Sequence, residues 1–223
     1  HYRLDSEGMI SEQTVTIFNR TATSTSQWMG SQSRAGQLAI SPDDQQLYVG
    51  GISSGIITFE RNTDNGSLSF QEQFLNGGSS FSVYGLSLSQ DGSVLYSMSV
   101  NTLYSFDRDS VSGNFVARAD KGVTSAKKLV SGFDETGALV FANGSLELTN
   151  SDLVVGKTFA GSGQVEAKNT VRGLIYNYTR IWFGANFRLF GVSEVGIEEL
   201  VGPDSNEPWL IALVDLAASP DGK

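Results

Sequence analysis

A chain of 223 residues with a net charge of -9 and no cysteine is long enough for one large all-β domain or two small ones. It can hold neither a disulfide framework nor a thiolate metal site. Its acidic surface repels phosphate backbones, which makes nucleic acid a poor candidate for the main partner, and the low charged fraction of 17% beside 25 glycines is the composition of short strands joined by tight turns.

In chain order, Tyr2 to Leu4, Thr14 to Phe18 and Ser26 to Met29 read as three strands. A full four-strand unit follows: Gln37 to Ile40, a Ser-Pro-Asp-Asp turn, Leu47 to Val49, a Gly-Ser turn, Ile56 to Glu60, a turn at Asn62 to Ser67, and Leu68 to Phe74. The next unit repeats it with Gly85 to Leu88, Val94 to Tyr96, Leu103 to Asp107 and Asn114 to Ala119. Asn65-Gly66 and Asp91-Gly92 supply the positive φ angles of tight hairpins. Two further units are written more weakly, with second strands Ala138 to Phe141 and Arg180 to Phe183 and third strands near Ser145 to Leu148 and Arg188 to Val192. Those second strands are continuously apolar rather than alternating, which predicts burial on both faces of their sheets. The apolar run from Trp209 to Ala218 is interrupted by Asp215, and it is far too short to cross a bilayer. With His1 first and no signal peptide, the chain reads as a processed or excised form.

One turn residue marks each unit, Asp43, Asp91, Asp134, Asn177 and Asp221, at spacings of 48, 43, 43 and 44. Four-stranded units at this period, packed face to face, predict a β-propeller. Leu216-Ala-Ala-Ser-Pro-Asp-Gly222 repeats the start of the Leu38 unit, and continuing from it into Tyr2 keeps the period across the termini. The expectation is a single domain over 1–223: five antiparallel four-stranded blades, one of them closed by the C-terminal strand, Leu210 to Ala218, joining three N-terminal strands. The alternative is a fragment of a seven-bladed propeller.

At Ser41-Pro-Asp-Asp-Gln-Gln-Leu-Tyr-Val49, Ile57-Thr-Phe-Glu-Arg61 and Gly66-Ser-Leu-Ser-Phe70 the chain resembles lactonase-type propellers. These are the 6-phosphogluconolactonase-like proteins and the wider group with Tyr-Val-Thr-Asn repeats. The likeness recurs at Ser89-Gln-Asp-Gly-Ser-Val-Leu-Tyr96, Phe106-Asp-Arg-Asp109 and Ser219-Pro-Asp-Gly222, and covers about three of five units. The resemblance implies a propeller, in that family usually of seven blades. Its motifs are turn and core residues, so they carry architecture and not activity.

Catalytic signals are sparse. Gly51-Ile-Ser-Ser-Gly55 fits the pattern of a serine nucleophile elbow but sits between two strands with no helix after it, so a hairpin turn is expected. His1 is the only histidine, which leaves a Ser-His-acid triad without a plausible base. Oxygen ligands alone remain for a metal, calcium first, and Asp107-Arg-Asp109 before Gly113 is better read as a hairpin turn than as a calcium loop. No cofactor is expected. Asp43-Asp44 and Glu198-Glu199 are poor acid-base pairs, since turn carboxylates are solvated and strand neighbours face opposite ways. Asn19, Asn65, Asn143 and Asn177 open Asn-x-Ser/Thr sequons, and of the three tryptophans Trp182, between Ile181 and Phe183, reads as core.

One constellation stands out. The segments that lead into each blade's innermost strand carry Arg34, Tyr84, Lys127, Lys128, Lys168 and Arg172, a rim of cationic and polar groups on an acidic protein. The expected function is a binding or scaffold module of a secreted or cell-surface protein of bacterial type, the periplasm included. It would recognise a small anionic ligand, a glycan or a protein partner, with no membrane insertion. The alternatives are a lactonase-like hydrolase of a sugar lactone and a structural subunit of a surface filament or adhesin.

Overall fold

The computed structural model describes residues 2–4, 10–13, 35–79, 81–124, 126, 128–131, 137–142, 145–159, 171–177, 180–185, 188–193 and 196–201, with backbone alone before residue 37 and after residue 170. The chain divides into two compact units, His1–Val83 and Tyr84–Lys223.

In the first unit β1 (Tyr2–Leu4) pairs antiparallel with β2 (Ile10–Gln13). β3 (Ala35–Ile40), β4 (Gln46–Gly51), β5 (Gly55–Arg61) and β6 (Leu68–Phe74) then form an antiparallel sheet in chain order. The partner of β1 is thus a segment that its mixed composition, Ile-Ser-Glu-Gln, gave no reason to choose. The strands expected at Thr14 to Phe18, Ser26 to Met29 and Leu210 to Ala218 lie outside the described residues.

The second unit contains three more sheets of the same topology: β7 (Gly85–Leu88) to β8 (Val94–Met98), β9 (Thr102–Arg108) and β10 (Phe115–Gly122); β11 (Lys128–Ser131), β12 (Ala138–Ala142), β13 (Ser145–Thr149) and β14 (Val155–Thr158); β15 (Val171–Asn177), β16 (Arg180–Ala185), β17 (Arg188–Ser193) and β18 (Gly196–Val201). The strands expected from the alternation of apolar and turn residues fall inside these spans, except that β10 begins at Phe115, one residue after the expected Asn114. The first and fourth strands of the third sheet, β11 and β14, are short and polar at one end, so their pattern alone did not mark them.

Every residue of β8 and β12 is buried. The physical reason is visible in the parity of the side chains. Val94, Tyr96 and Met98 from β8 meet Ala138, Val140 and Ala142 from β12 in one cluster, together with Leu103, Val123 and Leu153. The intervening Leu95, Leu139 and Phe141 are equally buried on the opposite faces. A strand buried on both sides cannot alternate, and each Leu or Phe removed from water contributes roughly 1.5–3 kcal/mol. In the first unit Val49, Ile57 and Phe59 make the corresponding cluster, with Leu47 and Leu68 packed against it.

The first strands of the second unit's sheets stand in a row, with β11 between β7 and β15. The Ser87 and Ser131 hydroxyls, 44 residues apart, lie 2.7 Å from each other. The Ser131 N–H donates to Ser87 Oγ at 3.0 Å, and the Ser131 hydroxyl donates to the Leu88 carbonyl. Ser87 of β7 and Ser131 of β11, equivalent positions of two successive repeats, are therefore neighbours at one height.

Candidate functional site

An up-and-down sheet has two ends, and here they are built differently. At one end lie the turns joining first to second and third to fourth strands. In the first unit Ser41 Oγ accepts from the Gln46 N–H at 2.9 Å and donates to the Asp43 carboxylate, which also accepts from the Gln45 N–H at 3.1 Å. One repeat later Ser89 Oγ accepts from the Val94 N–H at 2.9 Å and donates to Asp91 at 2.6 Å, and Asp91 accepts from the Ser93 N–H at 3.0 Å. The same network is written twice, and Asp44 at φ 61° stands where Gly92 has φ 73°. Burial pushes the Asp91 carboxyl upward, but the Ser89 hydroxyl and the N–H and hydroxyl of Ser93 outweigh it and hold the pKa below the usual carboxylate value.

The third-to-fourth-strand turns repeat as faithfully. Asn62 Oδ1 accepts from the N–H groups of Asp64 and Asn65 at 2.9 and 3.1 Å. Asp109 Oδ1 accepts from those of Val111 and Ser112 at 2.9 and 2.7 Å, and Asn150 Oδ1 from those of Asp152 and Val154 at 3.0 Å each. The Ser112 N–H and hydroxyl, then the Val111 N–H, lower the Asp109 pKa. Arginines lace this end together: Arg61 pairs with Asp44, Arg108 reaches the Gly92 carbonyl at 3.5 Å, and Arg118 binds Asp107 at 2.7 Å and Asp152 at 2.8 Å. Those two carboxylates, Asp152 first, raise the Arg118 pKa. Asp107-Arg-Asp109 is therefore the end of β9 entering a hairpin turn, with the Asp107 carboxylate on a guanidinium and the Asp109 carboxylate on backbone N–H groups. Among the described residues no group of three or more His, Asp or Glu is placed to hold a metal ion.

At the opposite end, second-to-third-strand turns and the loops between sheets are held mostly by main chain, with Gln73 Nε2, donating to the Ser54 carbonyl at 2.8 Å, among the side-chain ties. Gly55 N donates to the Phe81 carbonyl at 2.9 Å and Val83 N to Gly51 O at 3.1 Å. Tyr84 N donates to Met98 O at 2.7 Å, Val123 N to Asn101 O at 2.9 Å and Ala126 N to Val100 O at 3.0 Å. Gly51-Ile-Ser-Ser-Gly55 is a hairpin turn here, with Ser53 at φ 56° and its N–H donating to Ser82 Oγ at 3.1 Å.

The residues expected to form a rim fall at this loop end where they are described. Tyr84 directly precedes β7 and is 43% exposed. Lys128 opens β11 and is half-buried, and Arg172 is the second residue of β15. Arg34, Lys127 and Lys168 lie outside the described residues. Tyr84, just before β7, and Lys128, in the neighbouring β11, occupy corresponding positions, whereas a register irregularity in β15 between Arg172 and Leu174 takes Arg172 out of that correspondence. The Ser87–Ser131 link between β7 and β11 escaped sequence reading, although its 44-residue interval was the signal that could have found it. Between the second unit's first two sheets, Glu147 accepts from Ser145 Oγ at 2.9 Å and lies 3.9 Å from Lys121 Nζ.

No family model matches the chain and no curated protein matches it. Solved structures do. A functionally unknown protein from Desulfotomaculum acetoxidans aligns at 16% identity and TM-score 0.52, over 72% of this chain and 50% of that one. The RRP9 WD40 repeats align at 15% and 0.58, over 78% and 53%. The Cps50 (Swd1) β-propeller domain of Myceliophteria thermophila aligns at 10% and 0.55, over 78% and 59%. At such identities the likeness concerns fold, and it defines this chain's class: an all-β protein of four-stranded antiparallel sheets with the β-propeller fold. The chain spans between half and three-fifths of the length of these structures.

Proposed function

We propose that this protein is a binding or scaffold module of a secreted or surface protein, and that its partner, an anionic small molecule, a glycan or a protein segment, docks at the loop end of the sheets. The observation that carries the reading is the division of labour just described. The turn end uses its polar side chains to hold its own backbone. The loop end is held mainly by main-chain bonds, so most of its side chains can vary without loss of architecture, which is what a recognition surface requires. WD40 and propeller domains among the similar structures support the module reading at the level of fold. Thermal-shift titration with small carboxylates, phosphates and oligosaccharides tests it. A ligand that raises Tm in the native protein should lose its effect in Lys127→Gln or Arg172→Gln and keep it in the turn-end variant Asp43→Asn. Loss of binding in Asp43→Asn alone would overturn the assignment of the surface.

The same proposal extends to the ring. Leu38, Ile40 and Phe70, 64%, 52% and 41% exposed, belong to the face of the first four-stranded sheet that also carries Val49 and Phe59. An apolar sheet face of this kind calls for a further blade. Leu216-Ala-Ala-Ser-Pro-Asp-Gly222 repeats the letters that make an inner strand and its turn in β3 and β7, which supports five blades closed by residues 210–218. Slow amide exchange across 210–218 is the expected result, and exchange at the free-peptide rate would favour a part of a larger ring.

A further inference from the structure

We propose that Asn76 is a site of spontaneous covalent modification, where the side-chain amide closes on the Gly77 nitrogen and reopens to isoaspartate, while the same dipeptide at Asn65-Gly66 is kept unreactive by its turn. Asparagine is followed by glycine three times in the chain, at Asn65, Asn76 and Asn143. Asn143 lies outside the described residues.

Water is the only co-reactant. The Gly77 backbone nitrogen, giving up its proton to solvent, attacks the Asn76 side-chain carbonyl carbon, and the new N–C bond closes a cyclic imide. The bond from that carbon to the amide nitrogen breaks, and the leaving nitrogen takes a proton from water and departs as ammonia. A water molecule then opens the imide. Opening at the side-chain carbonyl leaves aspartate, and opening at the main-chain carbonyl leaves isoaspartate, with the chain routed through the β-carbon. Either product carries a carboxyl group where a neutral amide stood.

Two conditions set the rate: solvent must reach the glycine nitrogen, and the chain must be free to bring it onto the side chain. Both hold at Asn76. Gly77 is exposed, and no described residue hydrogen-bonds its N–H. The turn is held by Gly78 N on Leu75 O and Ser79 N on Asn76 O, each at 3.2 Å, and a Cβ built on Gly77 or Gly78 would meet nothing within 4 Å. Neither condition holds at Asn65. Gly66 is buried and its N–H donates to the Asn62 carbonyl at 2.7 Å. Asn65 Oδ1 accepts from the Ser67 N–H at 2.9 Å, and the Asn65 N–H donates to Asn62 Oδ1 at 3.1 Å. Attack there must wait until the hairpin opens.

The change also has a structural consequence. Isoaspartate adds a methylene to the main chain of the loop whose Phe81 carbonyl and Val83 N–H hold the β4–β5 turn, and it brings negative charge to the loop end.

Chymotryptic mass mapping, which separates Asn65 from Asn76 at Phe70 and Phe74, tests the proposal on protein stored in mildly alkaline buffer with and without urea. An isoaspartate-specific methyltransferase marks the rearranged product. In the native protein Asn76 should convert about tenfold faster than Asn65 or more, and its peptide should take the methyl label. In urea the two rates should come within about threefold, because the bonds that restrain Asn65 are gone. Gly77→Ala, verified as folded by circular dichroism, should slow Asn76 about tenfold and leave Asn65 unchanged. Native rates equal at the two sites, or higher at Asn65, would overturn the protection by the Asn62 turn. An unchanged Asn76 rate in folded Gly77→Ala would remove the Gly77 nitrogen as the attacking group, and an Asn76 that converts in urea but stays intact in the native protein would overturn the site.

Discussion

The two ends of these sheets solve one problem, reversing the chain, by opposite means. At the turn end Ser41 and Ser89, Asp43 and Asp91, Asn62 and Asp109 repeat both letters and hydrogen bonds, because a side-chain acceptor is required where consecutive N–H groups point the same way. At the loop end the corresponding segments share almost no letters, because carbonyls such as Gly51 O and Val100 O accept the crossing backbone whatever side chain it carries. Removing a side chain should therefore injure the turn end, and adding a Cβ should injure the loop end.

The largest expected effect follows from the second half of that contrast. A Cβ on Gly55, whose φ is +67°, would stand 2.3 Å from the Phe74 carbonyl oxygen. Gly55→Ala should cost about 2–3 kcal/mol by denaturant unfolding. Gly77 has φ +60° and nothing within 4 Å, so Gly77→Ala should show only the left-handed strain, about 1–2 kcal/mol. Equal costs at the two sites would remove the steric account of the loop end.

Next come the serines. Ser41→Ala and Ser89→Ala each strip a buried hydroxyl from a backbone N–H and a carboxylate, and each should lose about 1–2 kcal/mol, the two values agreeing because the networks agree. Ser53→Ala, at the loop end and exposed, should stay within about 0.5 kcal/mol. A Ser53 effect as large as the Ser89 effect would erase the difference between the ends.

The acid limb of the stability curve sharpens the comparison further. Hydrogen bonds hold the Asp109 carboxyl below its ordinary value of 3.8. The folded pKa is the lower one, so the carboxylate's contribution is complete above 3.8 and is lost as pH falls through the depressed value. Asp109→Asn, which copies the residue at Asn62 and Asn150, should keep the turn while flattening the pH dependence of stability below about pH 4. An unchanged acid limb would show that Asp109 is not what titrates there. The smallest effect is expected for Asp44→Gly: the left-handed angle is relieved, the exposed pair with Arg61 is lost, and Arg61 keeps the residue-44 carbonyl at 3.1 Å. The net change should lie within about 0.5 kcal/mol.

These differences explain what could be read in advance. The Ser-Pro-Asp and Asn/Asp-Gly turns were legible because positive φ and orphan N–H groups demand particular residues. β12 was legible as doubly buried because no polar residue interrupts Leu139 to Phe141, whereas β8, which Ser97 interrupts, is as fully buried without having been marked so; the same expectation for the side chains of Arg180 to Phe183 lies outside the described residues. β2, β11, β14, β15 and β18 were not marked, since a strand at the side of its sheet is defined by the strand that it pairs with and not by its own letters.

The amino-acid sequence by itself determined the repeat, the four-strand unit, the turn chemistry and the candidate rim residues, because each rests on local stereochemistry or on periodic burial. Only the tertiary structure decided that β11 stands between β7 and β15, that Ser87 and Ser131 are level on β7 and β11, and that Arg118 joins Asp107 to Asp152. Those are contacts between residues tens of positions apart, and they are selected by the packing of whole sheets, about which no single stretch of sequence carries information.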